Sequence, residues 1–297
     1  LEQARGNASR LASLKGSKDV IARMSGAVVR GLLVALMIAI PGLVVPGVSM
    51  EASQATVLIA LLAAIMTFIE YNARSPSIVE FRDAAPFNRL RFLALFSTVF
   101  LLSMICRGKT DPTLLTNALT SVGTIIGNSI DFPYSPVRLV VLMLPPDSHE
   151  SIVQSVRTAA GLSYLISLTA MAMFLFLVRV LGWPARNGSF NVWVNLPLFD
   201  PTAGGDVLYR LNRDARINIA LGFLLPFLIP AVVKMAADLL NPITLENPQT
   251  LIWTMSAWAF LPASMIMRGI AMQRIAEMIK DQRKRAYANA DADMLLA

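Results

Sequence analysis

The stretch DPTLLTNALTSVGTIIGNSID, residues 111–131, decides how many times this chain crosses a membrane. It is nearly long enough to be a span, and counting it would turn six crossings into seven. Its pattern argues against that. Leu115, Leu119, Val122, Ile126 and Ile130 recur at helical spacing, while Thr, Asn and Ser fill the other face. That is the signature of an amphipathic helix lying on a membrane surface or dipping into it. Asp111 followed by Pro112 reads as its N-cap and first turn. The next run, VRLVVLML at 137–144, is too short to cross as a helix and reads as re-entrant or packed over the bundle.

Outward from this segment the apolar residues gather into six longer runs, at about 27–48, 55–70, 90–106, 158–181, 217–240 and 250–268. A bilayer core of ~30 Å asks for runs of about 20 such residues per helix. Lysine and arginine are distributed as an even number of crossings requires. Six lie in residues 1–30, four in 70–92, five in 179–217 and six in 268–297. The alternate connections 49–54 and 241–249 hold none, and 107–157 holds four. Cytoplasmic connections carry the basic excess. Both termini and 70–92 are therefore expected in the cytoplasm, with 107–157 outside. A seventh crossing would put two of the richest basic segments on the wrong side. The expected fold is all-α, a polytopic transmembrane helix bundle of about six spans, with an extra-membrane amphipathic helix on the outer side. Its expected parts are a basic cytoplasmic segment 1–26, a membrane domain 27–268, and a cytoplasmic amphipathic helix and tail 269–297.

Composition agrees. Of the residues, 55% are hydrophobic and 15% charged, and the mean hydropathy is +0.59; an ordinary soluble domain carries roughly 25% charge. The net charge of +7 does not point to nucleic acid, because the basic residues alternate with apolar spans and do not cluster on one soluble module. A single cysteine, Cys106, excludes a disulfide within the chain. The single histidine, His149, is too few for bis-imidazole haem or for the usual zinc and copper sites. No cofactor and no metal are expected, and the first apolar run is too long for a cleavable signal.

Between the second and third spans, EYNARSPSIVEFRDAAPFNRLRF at 70–92 packs four arginines and three acids between turns at Ser75-Pro76 and Ala85-Pro86. Internal pairing would make it compact, with Arg82, Arg89 and Arg91 offering hydrogen bonds to a protein or to headgroups. The loop FNVWVNLPLF at 190–199 is apolar and aromatic although it lies outside any span. Its Phe190, Trp193 and Phe199 join those arginines as docking candidates, the aromatic-plus-Arg mix that interfaces favour. Within the spans, Lys234 and Asp238 are the only deep charges, four residues apart on one helix face, and are expected to form an intramembrane ion pair. Ala159, Ser163 and Ser167 repeat every four residues and predict close helix packing.

No nucleotide-binding or nucleophile motif is present, so no catalytic residue is assigned. The expected function is a non-catalytic subunit, scaffold or assembly factor of a larger complex in a bacterial inner membrane, with membrane lipids and other membrane subunits as partners. Two alternatives compete with it. Prolines in the first span (PGLVVPG, 41–47), the fifth (Pro226, Pro230) and the sixth (Pro262) are compatible with a transporter or channel for a small or lipid-like solute, whose freed carbonyls would coordinate ions. Asp147, His149 and Glu150 in PPDSHE would supply acid/base chemistry to a membrane-embedded envelope or lipid enzyme.

Overall fold

A computed structural model describes residues 2–184, 191, 195–199, 204–237 and 245–296, with side chains described from 21 to 289 within those ranges except at 237. The chain is all-α, 79% helix, without strands among the described residues. Among the described residues eight helices follow in order: α1 Glu2–Val44, α2 Met50–Asn72, α3 Phe87–Gly108, α4 Leu114–Ile130, α5 Pro136–Leu142, α6 Glu150–Arg179, α7 Val207–Ala237 and α8 Pro248–Leu296. Six of them (α1, α2, α3, α6, α7 and α8) are long and apolar enough to cross a membrane. These are the six expected runs, but the helices overshoot them. A helix ends where its backbone hydrogen bonds end, not where its side chains turn polar. Two stop short within the described residues: α6 at Arg179 against 181, and the first helix at Val44 against 48, because Pro46 and Gly47 follow and Gly47 takes a φ of +79°, open to glycine without strain. The expected divisions at 26 and 268 fall inside α1 and α8, which run on without interruption.

The residues group into two compact units. The first contains residues 1–85 and 191–200. Its α1 and α2 form a hairpin; Ser49 caps α2 by accepting from the Ala52 N–H at 3.2 Å. Close approach is possible because Gly31 has no Cβ; one built there would lie 2.8 Å from the Ala64 carbonyl oxygen. Arg30 sits 4.7 Å over the Tyr71 ring and donates to the Gly26 carbonyl at 2.8 Å, so its charge is drawn along the helix to a partner. Most of α2 faces outward, with Val57, Leu58, Leu61 and Leu62 all more than half exposed, the surface that lipid covers.

The second unit holds residues 86–190 and 201–297. In it α8 is the most buried span, with Ile252, Met255, Met267, Met272 and Ile275 inaccessible. Its antiparallel neighbour is α7, and two glycines set their separation. A Cβ on Gly222 would lie 2.6 Å from the Pro262 carbonyl oxygen, and one on Gly269 would lie 2.7 Å from that of Ala215. The prolines of α7 do not break it. Pro230 has no N–H to give to the Pro226 carbonyl one turn earlier. That carbonyl instead accepts from Trp258 Nε1 of α8 at 3.1 Å, a buried bond, and the indole stacks on Tyr164 of α6 at 5.7 Å.

The deciding segment is α4. Its cap is Thr113 and not Asp111, because Thr113 and Thr116 satisfy each other's amides in a capping box while Asp111 turns back to pair with Arg107 at 2.8 Å. Gly123, Gly127 and Thr124 face α6: a Cβ on Gly161 would lie 2.5 Å from the Gly127 Cα, and Thr124 meets the Thr158 hydroxyl at 3.3 Å. The apolar Leu115, Val122 and Ile125 are left exposed. Small and polar groups inside, aliphatic groups outside, is the arrangement a helix adopts when its surroundings are apolar.

Candidate functional site

The loop after α2 closes on itself through two buried charged side chains. The Glu70 carboxylate, at the last turn of α2, accepts three successive backbone N–H groups, from Ser77, Ile78 and Val79, at 3.0, 3.1 and 3.2 Å. Arg82 answers it from the other end, donating Nη1 to the carbonyls of Glu70 and Ala73 at 2.9 and 2.8 Å and Nη2 to that of Arg74 at 3.3 Å. A carboxylate collects donors and a guanidinium collects acceptors, so together they satisfy a turn that helix and sheet ladders cannot. Asn195, more than a hundred residues on, completes the layer. Its carbonyl accepts the Phe81 N–H at 2.6 Å and its Oδ1 accepts the Asp83 N–H at 3.1 Å. Phe81, at a positive φ of 53°, is held with a fully buried ring. Residues 70–85 and the described residues 191 and 195–199 thus form one layer of the first unit.

Within that layer the docking candidates have different fates. Arg82 is turned inward, its side chain 8% exposed, with Asp83 at 3.3 Å as its ion-pair partner. Phe199 is buried as well, while Ile78 and Leu198 are the large apolar groups left exposed, at 58% and 68%. Arg89 and Arg91 stand on α3 in the second unit: Arg89 is exposed, and Arg91 lies half-buried over the rings of Phe87 and Phe260. Phe190 and Trp193 lie outside the described residues, as does Asp238; Lys234 is half-buried near the end of α7.

The second unit contains a charge cluster that sequence spacing did not reveal. Asp131, its side chain 4% exposed, forms an ion pair with Arg138 Nε at 2.8 Å and accepts a hydrogen bond from Arg157 Nε at 2.7 Å. Arg157 also donates to Gln154 Oε1 at 2.6 Å, and Gln154 reaches the Thr158 hydroxyl at 3.4 Å. Beside it lies a cavity of about 80 Å³ between α3, α4, α6 and α8, with hydroxyls of Thr120, Thr124 and Thr158 on one side and Leu102, Ile105 and Leu251 on the other. The hydroxyls largely bond within the protein, Thr120 to the Thr116 carbonyl and Ser155 to that of Ser151. The cluster ties α4, α5 and α6 together. The signal for it was in the sequence as Asp131 ending one helix pattern, Arg138 inside the next and Arg157 in the third, but nothing in their spacing of seven and 26 residues joins them.

His149 is the N-cap of α6, its Nδ1 accepting the Ser151 N–H at 3.2 Å, which is the capping turn that Pro-Pro-Asp-Ser announces. Asp206 begins α7, accepting from the Leu208 N–H at 3.3 Å and from Arg283 of α8 at 3.0 Å. The Arg283 hydrogen bond, then the Leu208 amide, holds its carboxyl below the usual carboxylate range. The pair is therefore intact above that depressed pKa and is lost as pH falls through it. Among the described residues no three His, Cys, Asp or Glu side chains converge on one point. No family model, curated protein or solved structure matches the chain.

Proposed function

We propose that the protein is a non-catalytic subunit, scaffold or assembly factor of a larger complex in a bacterial inner membrane. The observation that carries this reading is the layer built from residues 70–85, 191 and 195–199. Its ionised groups Glu70 and Arg82 are committed to backbone partners, which leaves them without a free face for chemistry, while Ile78 and Leu198 face outward. A rigid loop with apolar groups on its surface is the form of an interface, since ordering costs little on binding and the exposed aliphatics have area to bury. The ion-coordination alternative rested on carbonyls freed by proline, and the Pro226 carbonyl already accepts Trp258.

Ile78→Asp combined with Leu198→Asp is expected to weaken a stoichiometric partner's retention about tenfold or more in a mild-detergent purification from the native membrane, with the thermal unfolding midpoint unchanged. Arg82→Ala is the contrasting variant, expected to loosen the loop itself. Purification of the native protein alone, with both aspartates silent, would sink the scaffold reading.

The same proposal places both termini and the 70–85 loop in the cytoplasm. In a Cys106→Ser background, Ser75→Cys is expected to react with an impermeant maleimide only after permeabilisation, and Asp111→Cys in intact cells. The reverse pattern would overturn the orientation.

A further inference from the structure

The N-terminal end of α7 and the continuation of α8 past Arg268 make a two-helix stalk in the second unit. Leu211, Ala215, Ala271, Met272, Ile275 and Ala276 are its buried seam, and the Asp206–Arg283 pair fastens its far end. Arg274 holds its side to the bundle by donating to the Trp183 carbonyl at 3.3 Å. Residues 206–216 and 268–285 carry nine lysines and arginines against four acids. Lys280, Arg283, Lys284 and Arg285 are exposed on one helix, and Arg213 and Arg216 on the other. Tyr209 and Tyr287 are 62% and 71% exposed.

We propose that this stalk is the docking surface for an acidic, water-soluble protein. Three considerations choose that occupant. First, the helix lifts its charges off the membrane: from Arg268 to the stretch Lys280–Arg285 the axis rises about 18–25 Å at 1.5 Å per residue. A tilt of 40° still leaves about 14 Å, beyond the Debye length of about 8 Å over which headgroups act. Second, the surface is basic but mixed. Asp214 lies 3.1 Å from Arg213, and Asp281 is exposed between Lys280 and Arg283. Interleaved acids repel a phosphate backbone, whereas a protein of net negative charge can match both signs. Third, exposed tyrosines beside arginines are the side chains that anchor protein interfaces with little loss of side-chain freedom. The stalk belongs to the second unit and does not rest on the loop layer, so each proposal can fail alone.

The test uses the full chain in nanodiscs of phosphatidylcholine, with fluorescent poly-L-glutamate as the probe at physiological ionic strength. Binding is expected, and Lys280→Gln, Lys284→Gln and Arg285→Gln together are expected to weaken it at least about tenfold while leaving thermal unfolding unchanged. Ile78→Asp with Leu198→Asp is expected to leave it unaltered. Unchanged binding in the triple variant would overturn the proposal. So would tighter binding of a DNA duplex than of polyglutamate, which makes nucleic acid the occupant. Loss of binding when phosphatidylglycerol is added to the disc would overturn it too, since the membrane surface then covers the stalk.

Discussion

Gly222→Ala and Gly269→Ala each lower the thermal unfolding midpoint in detergent, and the double variant fails to survive extraction as a folded monomer. The cause is geometric. Each new methyl would sit 2.6–2.7 Å from a carbonyl oxygen of the facing helix, closer than carbon and oxygen tolerate. The obstacle is backbone, so no side-chain rotation relieves it, and α7 must move away from α8. Overpacking costs about 1–3 kcal/mol per site. Here the displacement also draws the Pro226 carbonyl away from Trp258 Nε1, leaving a buried acceptor unsatisfied at about 1–3 kcal/mol more. Gly204→Ala is the control, because nothing lies within 4 Å of its added methyl. An unchanged melt for both single variants would mean that the hairpin is not packed through these glycines.

The second large effect concerns Asp131. Asp131→Ala leaves Arg138 and Arg157 facing each other without their common anion, and Arg157, 17% exposed, has little water to turn to. Removing one partner of a buried ionic group costs about 3–5 kcal/mol. Adding Arg157→Met is expected to restore much of the loss, because Arg138, 38% exposed, reaches solvent by itself. Thermal melts of the single and double variants decide the matter. A double variant no better than Asp131→Ala alone would refute the view that the stranded charge is the source of the damage.

Which parts were legible follows from the range of the interactions. Spans are local: an apolar run of sufficient length has one solution in lipid, and all six were found, with ends displaced because backbone bonding continues past the last apolar side chain. The start of α6 is local as well, a Pro-Pro-Asp-Ser turn just before the helix, but His149 as the capping side chain was not read from it. The cap at Thr113 was missed because two candidate starts stood two residues apart, and only the reciprocal bonds of Thr113 and Thr116 distinguish them. The apolar stripe of α4 was legible as a stripe. What it hides is the opposite face, where Gly123 and Gly127 accept α6 at backbone distance; composition alone does not say which face of an amphipathic helix meets protein. The loop at 70–85 was expected to pair internally, and it does, yet the partner of its arginine is carbonyl oxygen more than carboxylate. Asn195 was not singled out at all, since a side chain that bonds across a separation of 112 residues leaves no periodic trace.

That long-range bond has a consequence for biogenesis. The first hairpin is complete when residue 72 has been made, but the Phe81 and Asp83 amides gain their acceptors only when Asn195 has been synthesised. Between those moments α3 and α6 are made, while the loop, already closed on itself through Glu70 and Arg82, still lacks its bonds to Asn195. The chain therefore matures out of order, with its first unit finished by a segment made after the 86–190 part of the second and before α7 and α8. A nascent protein arrested before residue 195 holds a hairpin and a loop closed only by Glu70 and Arg82, the stage at which a chaperone or a protease would find the Phe81 and Asp83 amides still without Asn195.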